Sequence, residues 1–378
     1  MINKVKISNL YLLIATLLLC GCKSKEDDLI NEQEEWPVGQ NVYVAGFESL
    51  HDNNVARLWK NGNIQNLSGN AGTSFRADGV VSSIARSVFV SGDDVYVAGY
   101  DVISNETEVI ARARLWKNGI MQNLPNGVFS DEAISVFVSG NDVYVLGREA
   151  LDPKPFPSSW AFKVWKNGKA EIFAEGNSQW QVNSLFVSNG NVYVAGCGTK
   201  TFGSSNVQQA KLWKNGVAED ISSETIYSCA NSVFVSGNDI YVSGFVYEQS
   251  GNNTIARLWK NGKAENLTNG TKSAKAYSVY ISGNDLYVSG HDGDDARLWK
   301  NGIVQPIVDT NDARVFLSVF VKDNDVYTSG YVEAVQDVEK GNLPIHYFQA
   351  TLWKNGKKLK LKTEGKYNNS RALSVFVK

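Results

Sequence analysis

Ser87-Val88-Phe89-Val90-Ser91-Gly92-Asp93-Asp94-Val95-Tyr96-Val97-Ala98-Gly99, and then Arg112-Ala113-Arg114-Leu115-Trp116-Lys117-Asn118-Gly119-Ile120-Met121-Gln122-Asn123-Leu124, carry the architecture of the whole chain. Two short apolar runs, Ser87–Val90 and Val95–Gly99, flank a Gly-Asp-Asp turn and read as strands A and B of a hairpin. Arg112–Trp116 and Ile120–Leu124 flank Asn118-Gly119 and read as strands C and D. Both central residues of such a two-residue turn need positive φ, which Asn and Gly tolerate best.

The same pattern recurs along the chain. Trp59, Trp116, Trp165, Trp213, Trp259, Trp299 and Trp353 each stand in a Trp-Lys-Asn-Gly string, at spacings of 57, 49, 48, 46, 40 and 54. A strand B string precedes each: Val42–Gly46, Val95–Gly99, Val143–Gly147, Val192–Gly196, Ile240–Gly244, Leu286–Gly290 and Val326–Gly330. Strand A strings start at Ser87, Ser135, Ser184, Ser232, Ser278, Ser318 and Ser374. Strands A and B are nearly continuously apolar, which predicts burial on both faces. Strand D is mixed, and Pro306 falls within it in the sixth unit, as an edge strand tolerates. The gradient orders the strands radially, A innermost and D outermost. A four-stranded unit of this length is a propeller blade.

The phase of the repeat predicts closure. The array is entered at strand B, near Val42, and finishes on a strand A, Ser374–Val377. The surplus strand fits the vacancy, so blade one is a composite of the two ends. The fold class expected is all-β: a seven-bladed β-propeller with four antiparallel strands per blade, residues 37–378, closed by C-terminal strand pairing into blade one. The repeat tryptophans are core wedges, each worth roughly 4–6 kcal/mol of apolar burial as an upper bound. Six basic residues lie two positions before a repeat tryptophan: Arg57, Arg114, Lys163, Lys211, Arg257 and Arg297. They are expected to flank the indole and pair with nearby acids.

The unit resembles the extracellular repeat family named for its His-Ala-Phe segments, whose repeats run Ala-x-Leu-Trp-x-Asn-Gly into a Leu-ended strand; Ala111–Leu124 and Ala256–Leu267 carry the match. That resemblance implies an extracellular propeller and no particular activity. Strand B is faintly similar to kelch repeats, without their double glycine. At the N-terminus, Lys4 and Lys6 precede a short apolar run and Leu19-Cys20-Gly21-Cys22, which resembles the lipobox of bacterial lipoproteins. Residues 1–21 are then a signal peptide, Cys22 the lipidated residue, and 22–36 an acidic tether. Lys23–Asp28 resembles the acidic export signal of surface-exposed lipoproteins. The implied location is the cell envelope, as an outer-membrane lipoprotein with the membrane as partner through its lipid.

Net charge is -2, with none of the basic excess of a nucleic-acid binder. No cofactor is expected, and a monomer is expected. Chain direction puts the short A–B and C–D turns on one face and the long B–C and D–A connections on the other, where ligand residues concentrate. Candidate ligand-face residues there are Trp160, Trp180 and Phe156 in blade three, with His51, His291 and His346 in the B–C loops of blades one, six and seven. Cys197 and Cys229 fall on the same face and can form a disulfide in an oxidising compartment. The functional expectation is a non-catalytic binding or scaffold module for a glycan or protein ligand. The alternative is a carbohydrate-active hydrolase or lyase using Glu106, Glu108, Glu149 or Glu333, which requires two carboxyls about 5–9.5 Å apart.

Overall fold

A computed structural model describes residues 36–50, 53–67, 79–104, 108–152, 157–203, 205–222, 226–247, 253–307, 312–336, 344–365 and 368–378. Cys22, the leader and the tether lie outside them. The described strands form seven four-stranded antiparallel sheets. Blade one holds β1 (Val42–Leu50), β2 (Asn53–Lys60) and β3 (Asn63–Asn66); blade two runs from β4 (Val80–Ser91) through β5 (Asp94–Ser104) and β6 (Val109–Lys117) to β7 (Ile120–Gln122). Blade three follows with β8 (Asp131–Ser139), β9 (Asp142–Ala150), β10 (Ser159–Lys166) and β11 (Lys169–Asn177). Blade four comprises β12 (Gln181–Ser188), β13 (Asn191–Phe202), β14 (Ser205–Lys214) and β15 (Val217–Asp220). Blade five comprises β16 (Ser228–Ser236), β17 (Asp239–Tyr247), β18 (Thr254–Lys260) and β19 (Lys263–Asn266). Blade six is β20 (Ala274–Ser282), β21 (Asp285–Asp292), β22 (Asp295–Lys300) and β23 (Ile303–Val304). Blade seven is β24 (Ala313–Lys322), β25 (Asp325–Gln336), β26 (Ile345–Lys354) and β27 (Lys357–Leu359), after which β28 (Ser370–Val377) completes blade one. Val42 pairs with Val377 and Val44 with Val375, so the ring is closed by the chain's last strand.

Each repeated residue has a physical task. The seven tryptophans are at most 1% exposed and sit between blades. In every Asn-Gly turn, Asn takes φ of 47–53° and Gly 73–82°. The Asn side chain also accepts a 2.8 Å hydrogen bond from the first strand B amide of its blade. The lysine after each tryptophan stands 5.1–5.9 Å over the strand B tyrosine. Each strand A carries a β-bulge facing its strand B glycine. The bulge pushes a strand A carbonyl to within 1.9–2.2 Å of where a Cβ on that glycine would be. Only glycine fits there, which explains its recurrence in all seven strings.

Strand A is innermost, as two closed circuits demonstrate. Phe89, Phe137, Phe186, Phe234, Tyr280, Phe320 and Phe376 form an unbroken ring, successive centroids 4.6–5.1 Å apart. These rings are only partly buried, so strand A keeps one side toward the axis where burial on both faces was expected. The strand A serines form the second circuit: each Oγ accepts a 3.2–3.4 Å bond from an amide in the next blade's strand A. At the rim, strand D is mostly exposed. In blade six it shrinks to Ile303–Val304, leaving Pro306 just beyond the strand rather than within it, because proline has no amide to extend the ladder.

Candidate functional site

The variable face differs from a set of plain loops. In several blades strands B and C remain paired well past the conserved strings: Ser104 with Val109, Phe202 with Ser205, and Gln336 with Ile345. Alternating β-branched and aromatic residues such as Thr199, Thr201 and Phe202 sustain the pairing. The face is therefore built of projecting hairpins, which hold side chains more rigidly than loops do.

Among the sequence candidates, Trp160 is 7% exposed. The Arg148 guanidinium lies 4.1 Å over its ring, so it offers no free stacking face. Trp180 is half-buried, stacked on Phe162 at 6.2 Å and seated where Gly176 and Gly198 carry no side chain. Both indoles pack the blade three–four junction instead of forming a platform. Phe156 and His51 lie outside the described residues. His291 stacks on Tyr277 at 5.8 Å and its Nδ1–H donates to the Gly293 carbonyl at 2.9 Å. Burial lowers its pKa, and the Lys275 charge adds to this. His346 is exposed and bonds to Glu333 at 2.7 Å. The two imidazoles thus have separate partners, and among the described residues no cluster of three His, Cys, Asp or Glu could hold a metal.

The candidate acids are engaged. Glu149 pairs with Lys163 at 2.8 Å. Glu333 is held below the usual carboxylate range first by its hydrogen bond to His346 and then by Arg314. Glu108 is exposed, and Glu106 lies outside the described residues. The basic residues before the tryptophans find polar partners: Arg57 with Glu48 and Glu364, Arg114 with Asp101, Lys163 with Glu149, Lys211 with Asp220, Arg297 with Asp295, and Arg257 with the Asn266 amide. Arg57 and Glu48 are wholly buried, so breaking that pair would leave an unpaired interior charge.

Cys197, midway along strand B of blade four rather than at its end, and Cys229, inside strand A of blade five rather than before it, are bonded, with Cα atoms 4.9 Å apart. The disulfide is buried against Phe245 and ties two blades together. Beside it opens a cleft of about 410 Å³ lined by Gln179, Gln181, Asn206, Val207, Gln208 and Tyr227. Gln208 is oriented by donating to the Gln179 carbonyl and to the Cys197 sulfur. Tyr227 meets Tyr247 edge-on at 5.8 Å, and both rings are about 40% exposed. Among the described residues, no Asp, Glu, Lys or Arg lines this cleft. Sequence reading passed over these residues because isolated Gln and Tyr carry no motif. The available signal was the Gln208-Gln209 pair within strand C of blade four, a glutamine pair that no other blade's strand C carries.

Fold and site together define a seven-bladed propeller with a velcro-type closure, an aromatic collar around the axis and one variable hairpin face. No family model matches the chain, and no curated protein matches it. Solved structures similar in fold include a Pyrococcus horikoshii acylaminoacyl peptidase, at 13% identity and TM-score 0.41, covering 81% of this chain and 50% of that one. A Mycobacterium tuberculosis puromycin-hydrolysing peptidase aligns at 11% identity and TM-score 0.48, covering 85% and 54%. The propeller domain of the Trilobed protease from Pyrococcus furiosus aligns at 10% identity and TM-score 0.35, covering 75% and 98%. The chain thus spans about half the length of the first peptidases it matches. Likeness at this level concerns the fold alone.

Proposed function

We propose that this protein is a non-catalytic recognition module of the bacterial cell envelope that binds a neutral glycan in the amide and tyrosine cleft of blades four and five. The observation that carries the reading is the cleft's lining. Oriented amides supply paired donors and acceptors for sugar hydroxyls, and exposed tyrosine rings supply faces for apolar C–H surfaces. A hydrolase needs two free carboxyls; Glu149 and Glu333 are each tied to cations. The anchor belongs to the same reading: lipid on Cys22, with the acidic tether directing the protein to the outer membrane and its outer surface.

A glycan-array screen of the purified protein tests the binding claim. Gln208→Ala and Tyr227→Ala should each weaken the best neutral glycan about tenfold or more, as expected for loss of a buried polar or stacking contact. Release of polysaccharide fragments would overturn the non-catalytic assignment. Palmitate labelling that persists in Cys22→Ala would overturn the anchor.

A further inference from the structure

The aromatic ring encircles the axis, and the strand A residues that precede it lead toward the variable face and carry a second layer of side chains. This layer is set by three positions per blade: three and five residues before the ring aromatic on strand A, and the residue after the strand B glycine. Over all seven blades these positions hold five formally charged residues: Arg86, Arg148, Lys275, Arg371 and Glu132. Four are cations and one is an acid. Glu132 is taken by Arg148 at 3.1 Å and by Arg86 at 3.7 Å, so one carboxylate serves two guanidiniums.

Lys275 and Arg371 have no carboxylate partner among the described residues. The Lys275 ammonium rests 4.5 Å from the Phe245 ring centroid, in surroundings whose burial lowers its pKa. The Arg371 guanidinium lies 4.9 Å from Tyr331 and 5.4 Å from Phe348. Aromatic faces attract cations weakly and leave most of the charge uncompensated. Tyr277, on the strand A bulge of blade six, lies within electrostatic range of Arg371 and Tyr331, and burial pushes its hydroxyl up to about 12. It therefore stays protonated at neutral pH and can donate. His291 beside it is disfavoured as a cation by burial, with Asp292 and Asp294 opposing that effect.

Partly desolvated cations gathered at a concave mouth attract anions strongly. Arg371, Arg86 and Arg148 occupy the consecutive blades one, two and three, and Lys275 stands in blade six, with blade seven between it and Arg371. We propose that this axial mouth binds a ligand bearing two or more carboxylate or phosphate groups, held by Arg371 from blade one and Lys275 from blade six, with Tyr277 as hydroxyl donor. Its cations lie in blades one, two, three and six, outside the lining of the glycan cleft, and the proposal stands whether or not that cleft holds a sugar.

Calorimetric titration of the purified protein with citrate, pyrophosphate and a di-uronic acid disaccharide, against acetate and a neutral disaccharide, tests the proposal. At least one of the three polyanions should bind more tightly than about 1 mM, with acetate and the neutral sugar at least tenfold weaker. The strongest probe distinguishes a carboxylate, phosphate or acidic-sugar source. Lys275→Gln and Arg371→Gln should each weaken that probe about tenfold or more, as removal of a desolvated charge contact does. Gln208→Ala and Tyr227→Ala should leave it unchanged, which separates this site from the cleft. Should a charge variant fail to fold, acetylation of Lys275 in the unaltered protein, read by mass spectrometry, must fall when the probe is bound. Absence of any polyanion binding in that range, wild-type affinity in both glutamine variants, or labelling of Lys275 indifferent to the probe would overturn the proposal.

Discussion

Replacing both Cys197 and Cys229 by alanine removes a covalent tie between blades four and five. The bond closes a sequence separation of 32 residues; the chain-entropy relation then assigns it about 3.7 kcal/mol at 25 °C. Unfolding entropy scales with length, and for a domain spanning Glu35–Lys378 it is roughly 0.7 kcal/mol per kelvin. The expected fall in melting midpoint is therefore about 5 °C. Scanning calorimetry with and without reductant isolates the cross-link from the small packing loss of the alanines. Reductant should lower the wild-type midpoint toward that of the variant and leave the variant where it is. Thiol titration before and after unfolding in reductant provides a second reading, because both sulfurs are essentially inaccessible in the native state. A wild-type midpoint insensitive to full reduction would refute the argument, since the tie would then contribute nothing to constraining the unfolded chain.

Adjacent residues of strand B in blade six should respond with opposite signs. Ser289 is buried with its hydroxyl unpartnered among the described residues, as are Ser243 and Ser329, and Ala45, Ala98 and Ala195 fill the same position in other blades. Ser→Ala there should stabilise by about 1 kcal/mol each, additively across separate blades. Gly290→Ala should destabilise by about 1–3 kcal/mol or more in denaturant titration, because its Cβ would meet the Lys275 carbonyl at 2.0 Å. Asp94, Asp142, Asp239 and Asp285 are each held below the usual 3.8, first by a lysine hydrogen bond. A depressed carboxylate stabilises above its unfolded value, so melting temperature should be flat near neutrality and fall as pH drops through and below 3.8; changing all four to Asn should flatten that fall. Deleting residues 370–378 removes Phe376 and Ser374 from both axial circuits. The truncated chain should lose its cooperative transition by circular dichroism.

Blade count, strand order and closure were legible because they depend on local periodicity and on the phase of the repeat. Asn118-Gly119 signals its turn without help from the rest of the chain. The bulge behind each strand B glycine was not legible, since the clash that requires glycine comes from a carbonyl on a different strand. Trp160 and Trp180 could not be placed from sequence for a related reason: an aromatic in a connection can pack or stand exposed, and the choice is decided by strand C beginning already at Ser159 and by the slot that Gly176 and Gly198 leave for the second indole. The cationic surplus at the axis is spread over positions from Arg86 to Arg371, and the sequence alone gives no sign that these meet.

The aromatic circuit forms a collar in which every ring touches two neighbours, so losing the side chain of any one blade breaks it at two contacts. Because Phe376 of the last strand touches both Phe89 and Phe320, the continuity of the collar reports whether the two ends of the ring have met.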